Sequence, residues 1–141
     1  MCGSCEFYVS EVRPDMVLIF GGAYQGKLDY ALKRFGLAAG DVHRCGEGSA
    51  EMPAGRKIVY GLEKWILALV KEGADADSAI GRFIEENGSA VVICDDVSCG
   101  VVPADPLLRE WREATGRAMA KVAGASGEVV RIFYGIPSRI R

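Results

Sequence analysis

The chain has 141 residues, of which 50% are hydrophobic and 26% charged, with a net charge of −2. This length suits one domain with a packed core and excludes two independent ones, and the weak negative charge excludes nucleic acid and anionic membrane as expected partners. No apolar run reaches the roughly 18–20 residues that span a bilayer, and residues 1–15 carry neither a lysine nor a long apolar centre, so a cytoplasmic protein without a secretory signal is expected.

Residues 1–15 lack a period and end in the turn-prone Arg13-Pro14-Asp15. They read as an N-terminal extension, with disorder expected, ahead of a single domain over 16–141. Met16-Val17-Leu18-Ile19-Phe20 is fully apolar and bounded by Gly21-Gly22, the pattern of a buried parallel strand. Leu28, Ala31, Leu32 and Phe35 then follow helical spacing as far as Gly36. Asp41 to Cys45 suggests a short strand, Gly46 to Gly55 a loop, and Lys57 to Tyr60 another short strand. Leu62, Trp65, Ile66, Leu69 and Val70 form a helical stripe that stops at Gly73. Asp75 or Asp77 is placed to cap a further helix with Ile80, Phe83 and Ile84 inward. Ala90 to Cys94 is the second strong buried strand and ends in Asp95-Asp96. A long helix opens at Pro103 to Pro106, with Leu107, Trp111, Ala114, Ala118 and Val122 on its core face. Glu128 to Tyr134 predicts the last strand, before Gly135-Ile136-Pro137 and a basic end. Strands alternating with helices predict an α/β fold with a mostly parallel sheet covered on both faces.

Gly21-Gly22-Ala23-Tyr24-Gln25-Gly26-Lys27 matches seven positions of the phosphate-binding loop pattern, which makes the expected fold the P-loop nucleoside triphosphatase type. Glycines let several backbone N–H groups converge on one phosphate, the following helix adds its positive end, and the lysine supplies a cation. The alternative is a glycine strand-to-helix turn without a ligand. The eighth position requires Ser or Thr for Mg²⁺ and here is Leu28, so metal-nucleotide binding is expected to be weaker or arranged differently. Asp95 and Asp96 follow a buried strand, where a parallel sheet places ligand sites; they are the candidates to hold Mg²⁺ or orient a hydroxyl, against the plainer reading of a turn cap and a solvated acid. Glu63 is a second acid near that edge, with a solvated helix position as its simpler account. Arg112, Arg117 and Lys121 form a polar helix side of the kind that makes surface ion pairs, and Trp65 and Trp111 are expected in the core. Five cysteines, mostly beside apolar segments, argue for reduced thiols. Cys2-Gly3-Ser4-Cys5 has metal or redox spacing without a second pair to complete a zinc site.

Four stretches together resemble the adenosylcobinamide kinase / adenosylcobinamide-phosphate guanylyltransferase family. Ile19 to Lys27 is similar to its G-G-A-R-S-G-K-S loop, and Leu62-Glu63-Lys64-Trp65-Ile66 to its L-T-x-W-L segment. Val91 to Pro103 resembles V-V-x-V-x-N-E-V-G-x-G-I-V-P, and Trp111 to Arg117 resembles F-R-D-x-x-G-R, with Gly135-Ile136-Pro137 following. The resemblance implies cobalamin biosynthesis, ATP or GTP bound along Gly21 to Leu28, and phosphoryl transfer to a cobinamide hydroxyl. It implies Lys27, Asp95 and Asp96 in catalysis, phosphate contacts from Arg112 and Arg117, a corrinoid as second ligand, and a homo-oligomer. The family is longer between the loop helix and the central strand, where its GMP-accepting histidine lies. The sole histidine here is His43, closer to the loop, and Tyr60 stands about where the family carries an acid. These departures and Leu28 favour the alternative of a catalytically degenerate nucleotide-, corrinoid- or partner-binding protein of the same fold; a structural subunit is the third reading.

Overall fold

The computed structural model describes residues 16–23, 26–46, 48–97 and 104–141. The expected N-terminal extension with Cys2 and Cys5, the loop residues Tyr24 and Gln25, and the 98–103 part of the third resembling stretch lie outside the described residues.

The elements run β1 (Met16–Gly21), α1 (Lys27–Phe35), β2 (Val42–Arg44), β3 (Ile58–Tyr60), α2 (Leu62–Lys71), α3 (Ala76–Glu86), β4 (Val91–Asp95), α4 (Pro106–Ala125), β5 (Ser126–Phe133) and β6 (Ile136–Arg139). They build one sheet in the order β2-β3-β4-β1-β5-β6. Every neighbouring pair is parallel except β5 and β6. Each central strand feeds two cores because alternate side chains leave opposite faces. Val17, Ile19, Val91, Ile93, Val130 and Ile132 share a cluster with Ala31 of α1. Met16, Leu18, Val92, Cys94 and Val129 pack with residues of α2, α3 and α4, among them Leu62, Ile66, Phe83, Ala114 and Ala118. Burial on both faces is why β1 and β4 are continuous apolar runs rather than alternating ones.

Local chemistry sets the helix ends. Gly36, left-handed at φ 64°, closes α1. Asp75, not Asp77, caps α3, its Oδ1 accepting from the N–H groups of Asp77 at 3.1 Å and Ser78 at 3.3 Å. Asp105 caps α4, with Pro106 in the first turn, where its missing N–H costs nothing. Side-chain contacts from the helices help hold down the described part of the long 45–57 connection. Trp65 Nε1 donates to the Ala50 carbonyl at 2.9 Å, and the Gly55 N–H donates to Oδ1 of buried Asn87 at 3.0 Å. Trp65 also packs against Phe83, ring centroids 5.5 Å apart. Among the described residues, no helix is long and apolar enough to cross a membrane.

The C-terminal end corrects the sequence expectation. Ser126 both caps α4 and begins β5, so the strand starts two residues before Glu128 and ends at Phe133 rather than Tyr134. The basic end is not a plain tail. Tyr134 and Gly135, at φ 52° and 76°, turn the chain back into antiparallel β6. Pro137 hides this strand from a pattern-based reading, yet an edge strand tolerates proline because its outer N–H has no partner to serve. All of β6 is exposed, so no apolar alternation marks it either.

Gly21 sits where β1 runs closest to β5. An added Cβ would drive into the Ile132 carbonyl oxygen, and φ is 154°. Gly21→Ala is therefore expected to cost about 1–3 kcal/mol of stability by urea unfolding, the usual cost of overpacking. Unchanged stability would contradict this close approach.

Candidate functional site

The carboxyl ends of β1 and β4 lie side by side, with Gly21 in register with Asp95. From here β1 leads to α1 on one face and β4 leads to α4 on the other. In open α/β sheets this divergence opens the crevice that receives ligands. The Asp96 N–H donates to the Gly21 carbonyl at 2.8 Å and clasps the two strand ends together.

Lys27 is the first residue of α1. Its N-cap is Gly26, left-handed at φ 87° and without a side chain to satisfy the helix's first N–H groups. A cation at a helix N-terminus opposes the macrodipole. Lys27 is nevertheless only 4% exposed. Its Nζ donates to the Gly22 carbonyl at 2.6 Å and pairs with Asp95 Oδ1 at 2.6 Å. The lysine thus turns back onto the Gly22 carbonyl, and β4 supplies the counter-charge.

Glu63 stands behind Asp95. It lies in the first turn of α2, is 5% exposed, and accepts the Asp95 N–H on Oε1 at 2.9 Å. Its carbonyl accepts from Trp111 Nε1 at 2.8 Å, which ties α4 to the same corner. Burial pushes the Glu63 carboxyl above its ordinary range, and the Asp95 charge adds to this, while the Asp95 N–H opposes it. The expectation of a solvated Glu63 is therefore corrected. The missed signal was the neighbourhood: residues Leu62 to Val70 are buried almost all round, and such a helix is a core helix. Cys45 and Cys94 are free thiols pushed up by burial, Cys45 to about 12, so neither offers a thiolate.

The structure brings Gly21, Gly22, Gly26, Lys27 and Asp95 together, with Asp96 half-buried beside Gly21 and Ala23 exposed in the loop. Leu28 is half-buried and packs its side chain against the apolar cluster beneath α1. Arg112 is half-buried on α4. Arg117 pairs through Nε with Asp77 Oδ1 at 3.2 Å, a surface ion pair of the kind expected of a polar helix side, and Lys121 Nζ donates to the Asp77 backbone carbonyl at 3.4 Å. His43 lies on β2, with β3 and β4 between it and β1. Burial, and then the nearby Arg56 charge, lowers its pKa, which favours a neutral ring. Tyr60 ends β3 with the Arg44 guanidinium 5.2 Å from its ring centroid.

The corner offers an anion a buried ammonium and an uncapped helix N-terminus, which is the chemistry of a phosphate site. It does not by itself build a Mg²⁺ site. Among the described residues no group of three acidic, histidine or cysteine side chains could hold a metal, and Asp95 is already engaged by Lys27.

A family model described as cobinamide kinase / cobinamide phosphate guanyltransferase matches residues 61–140, more than half of the chain. The chain belongs to this family. The match takes in Glu63, Asp95, Asp96 and all of α4, and begins downstream of the Gly21–Lys27 loop. A search of curated proteins gives no match. The family assignment thus rests on the half of the fold that carries the acidic side of the crevice.

The raised Glu63 pKa has a definite sign. The folded state keeps this proton to a higher pH than the unfolded chain does, so stability is greatest below the ordinary carboxyl pKa and falls as pH rises through the folded-state value. Glu63→Gln keeps an acceptor for the Asp95 N–H but cannot ionise. It is expected to lose less stability than the wild type as pH rises from the ordinary carboxyl pKa through the folded-state value, read by urea titrations at stepped pH. Parallel pH profiles would show that Glu63 carries no such burden.

Proposed function

We propose that the Gly21–Lys27 loop holds the triphosphate of ATP or GTP and that the protein transfers its terminal phosphoryl group to a cobinamide hydroxyl. The observation that carries this reading is Lys27, a buried cation held at a helix N-terminus between the Gly22 carbonyl and Asp95. A phosphate entering the loop would replace both partners of the ammonium, and the first N–H groups of α1 would add neutral donors. Lys27 would then neutralise charge on the transferred group, and Asp95, released from the ion pair, would face the acceptor. The acceptor oxygen would form its bond to phosphorus as the bond to the departing nucleoside diphosphate breaks, and the hydroxyl proton would pass to the Asp95 carboxylate. Glu63 would hold Asp95 in place through the backbone N–H, and Asp96 would hold the two strand ends together. No step depends on a metal bound by side chains alone.

A second reading, binding without catalysis, draws on one specific feature. Leu28, at the position of the metal-binding hydroxyl, packs against the apolar core instead. Calorimetry with ATP and GTP separates the two. Mg²⁺-dependent product formation supports the kinase, and Mg²⁺-independent binding without product supports the binder.

Lys27→Ala is expected to lower nucleotide-dependent turnover by at least about 10²-fold, the scale of removing one preorganised electrostatic contact. Turnover that survives the substitution would sink the mechanism.

A further inference from the structure

Gly26 closes the loop on one side and borders a second cavity on the other. This cavity, about 410 Å³, lies between the outer side of α1 and the β5–β6 turn, lined by Gly26, Asp29, Tyr30, Lys33, Arg34 and Gly135. Its volume falls within the roughly 300–1,000 Å³ of small-ligand sites. A Cβ built on Gly26 would stand 3.6 Å from the Gly135 Cα, so the turn abuts the end of the loop. Both residues are left-handed glycines, at φ 87° and 76°, and the border between loop and cavity is bare backbone.

The wall is already ordered by hydrogen bonds. Arg34 Nη1 donates to the Tyr30 hydroxyl at 2.8 Å, and Nη2 donates to Glu128 Oε1 of β5 at 2.7 Å. The guanidinium also lies 4.8 Å from the Phe35 ring centroid. A planar guanidinium and a phenol ring fixed in this way form a surface on which a heteroaromatic ring stacks at little entropic cost. At the rim, Asp29 and Lys33, paired at 3.1 Å, offer an acceptor and a donor to the edge of such a ring.

We propose that this cavity between α1 and the β5–β6 turn holds the base and ribose of the nucleotide whose phosphates lie in the Gly21–Lys27 loop. The inference rests on the phosphate-loop reading above and adds to it the nucleoside subsite, with Tyr30 and Arg34 as the stacking wall. Phosphates held at Lys27 and a nucleoside passing over Gly26 would make one continuous ligand path.

The test compares ATP, GTP and inorganic tripolyphosphate by calorimetry on the wild type, Tyr30→Leu and Gly135→Asn. Tyr30→Leu removes the ring and keeps an apolar side chain against the core. Gly135→Asn adds a residue that tolerates positive φ, and its Cβ would meet nothing within 4 Å, so the turn can accept it. It also serves if Tyr30→Leu fails to fold. On the wild type, ATP or GTP is expected to bind at least about tenfold tighter than tripolyphosphate, the scale of one stacked base. Each folded variant is expected to lose most of that advantage while its tripolyphosphate affinity stays unchanged. Nucleotides binding no tighter than tripolyphosphate on the wild type would overturn the subsite and leave the loop reading standing. Binding of neither would overturn both. Nucleotide affinity unaffected by the variants, or tripolyphosphate affinity falling equally, would also overturn the subsite.

Discussion

The ion pair between Lys27 and Asp95 is the constraint on which the rest of the site depends. Its lysine side chain is 3% exposed and its aspartate 30%. Removing a charge from water is costly, and here the helix dipole adds to the cost instead of relieving it. A well-packed apolar pair could join α1 to β4 with equal or greater stability. A local arrangement that breaks the rules of helix electrostatics without a stability gain is the usual mark of a functional site. The pair explains its neighbours too. Asp95 needs a fixed backbone to meet Lys27, and the buried Glu63 carboxylate provides it by accepting the Asp95 N–H. Glu63 is in turn held in the corner where Trp111 donates to its carbonyl.

The sheet order makes that meeting unavoidable. β4 enters beside β1, and their carboxyl ends arrive level at Gly21 and Asp95. α1 covers one face and α2, α3 and α4 the other, so the chain leaves β1 and β4 for opposite faces of the sheet. The family match covers β4, α4 and β5, and β1 lies between two of its strands, β4 and β5. A departure such as Leu28 follows the same logic. The residue after Lys27 lies on the inner side of α1, where an apolar side chain gains packing and a hydroxyl would lose it.

Much of this was legible in the residues. β1 and β4 declared themselves as apolar runs because both of their faces are covered, and the helices declared themselves by stripes, caps and glycine stops. The glycine spacing singled out Gly21 to Lys27 and the strand-end position singled out Asp95, and the fold pairs Lys27 with Asp95. What escaped detection depends on tertiary contact. Glu63 looked like a solvated helix residue because a carboxylate on a core helix is recognisable only when its partner, the Asp95 N–H from a distant strand, is known. β6 escaped because an exposed edge strand containing Pro137 has neither apolar alternation nor a need for every N–H. Arg117 shows the reverse. Its pairing with Asp77 across the α3–α4 contact is the ordinary fate of a helix-surface charge.

The most direct test is a crystal structure of the protein with a non-hydrolysable ATP or GTP analogue. Phosphate oxygens are expected within hydrogen-bond distance of Lys27 Nζ and of the N–H groups that open α1, with Asp95 released from the lysine. An analogue bound elsewhere, with the Lys27–Asp95 pair and the Gly22 contact intact, would contradict this expectation.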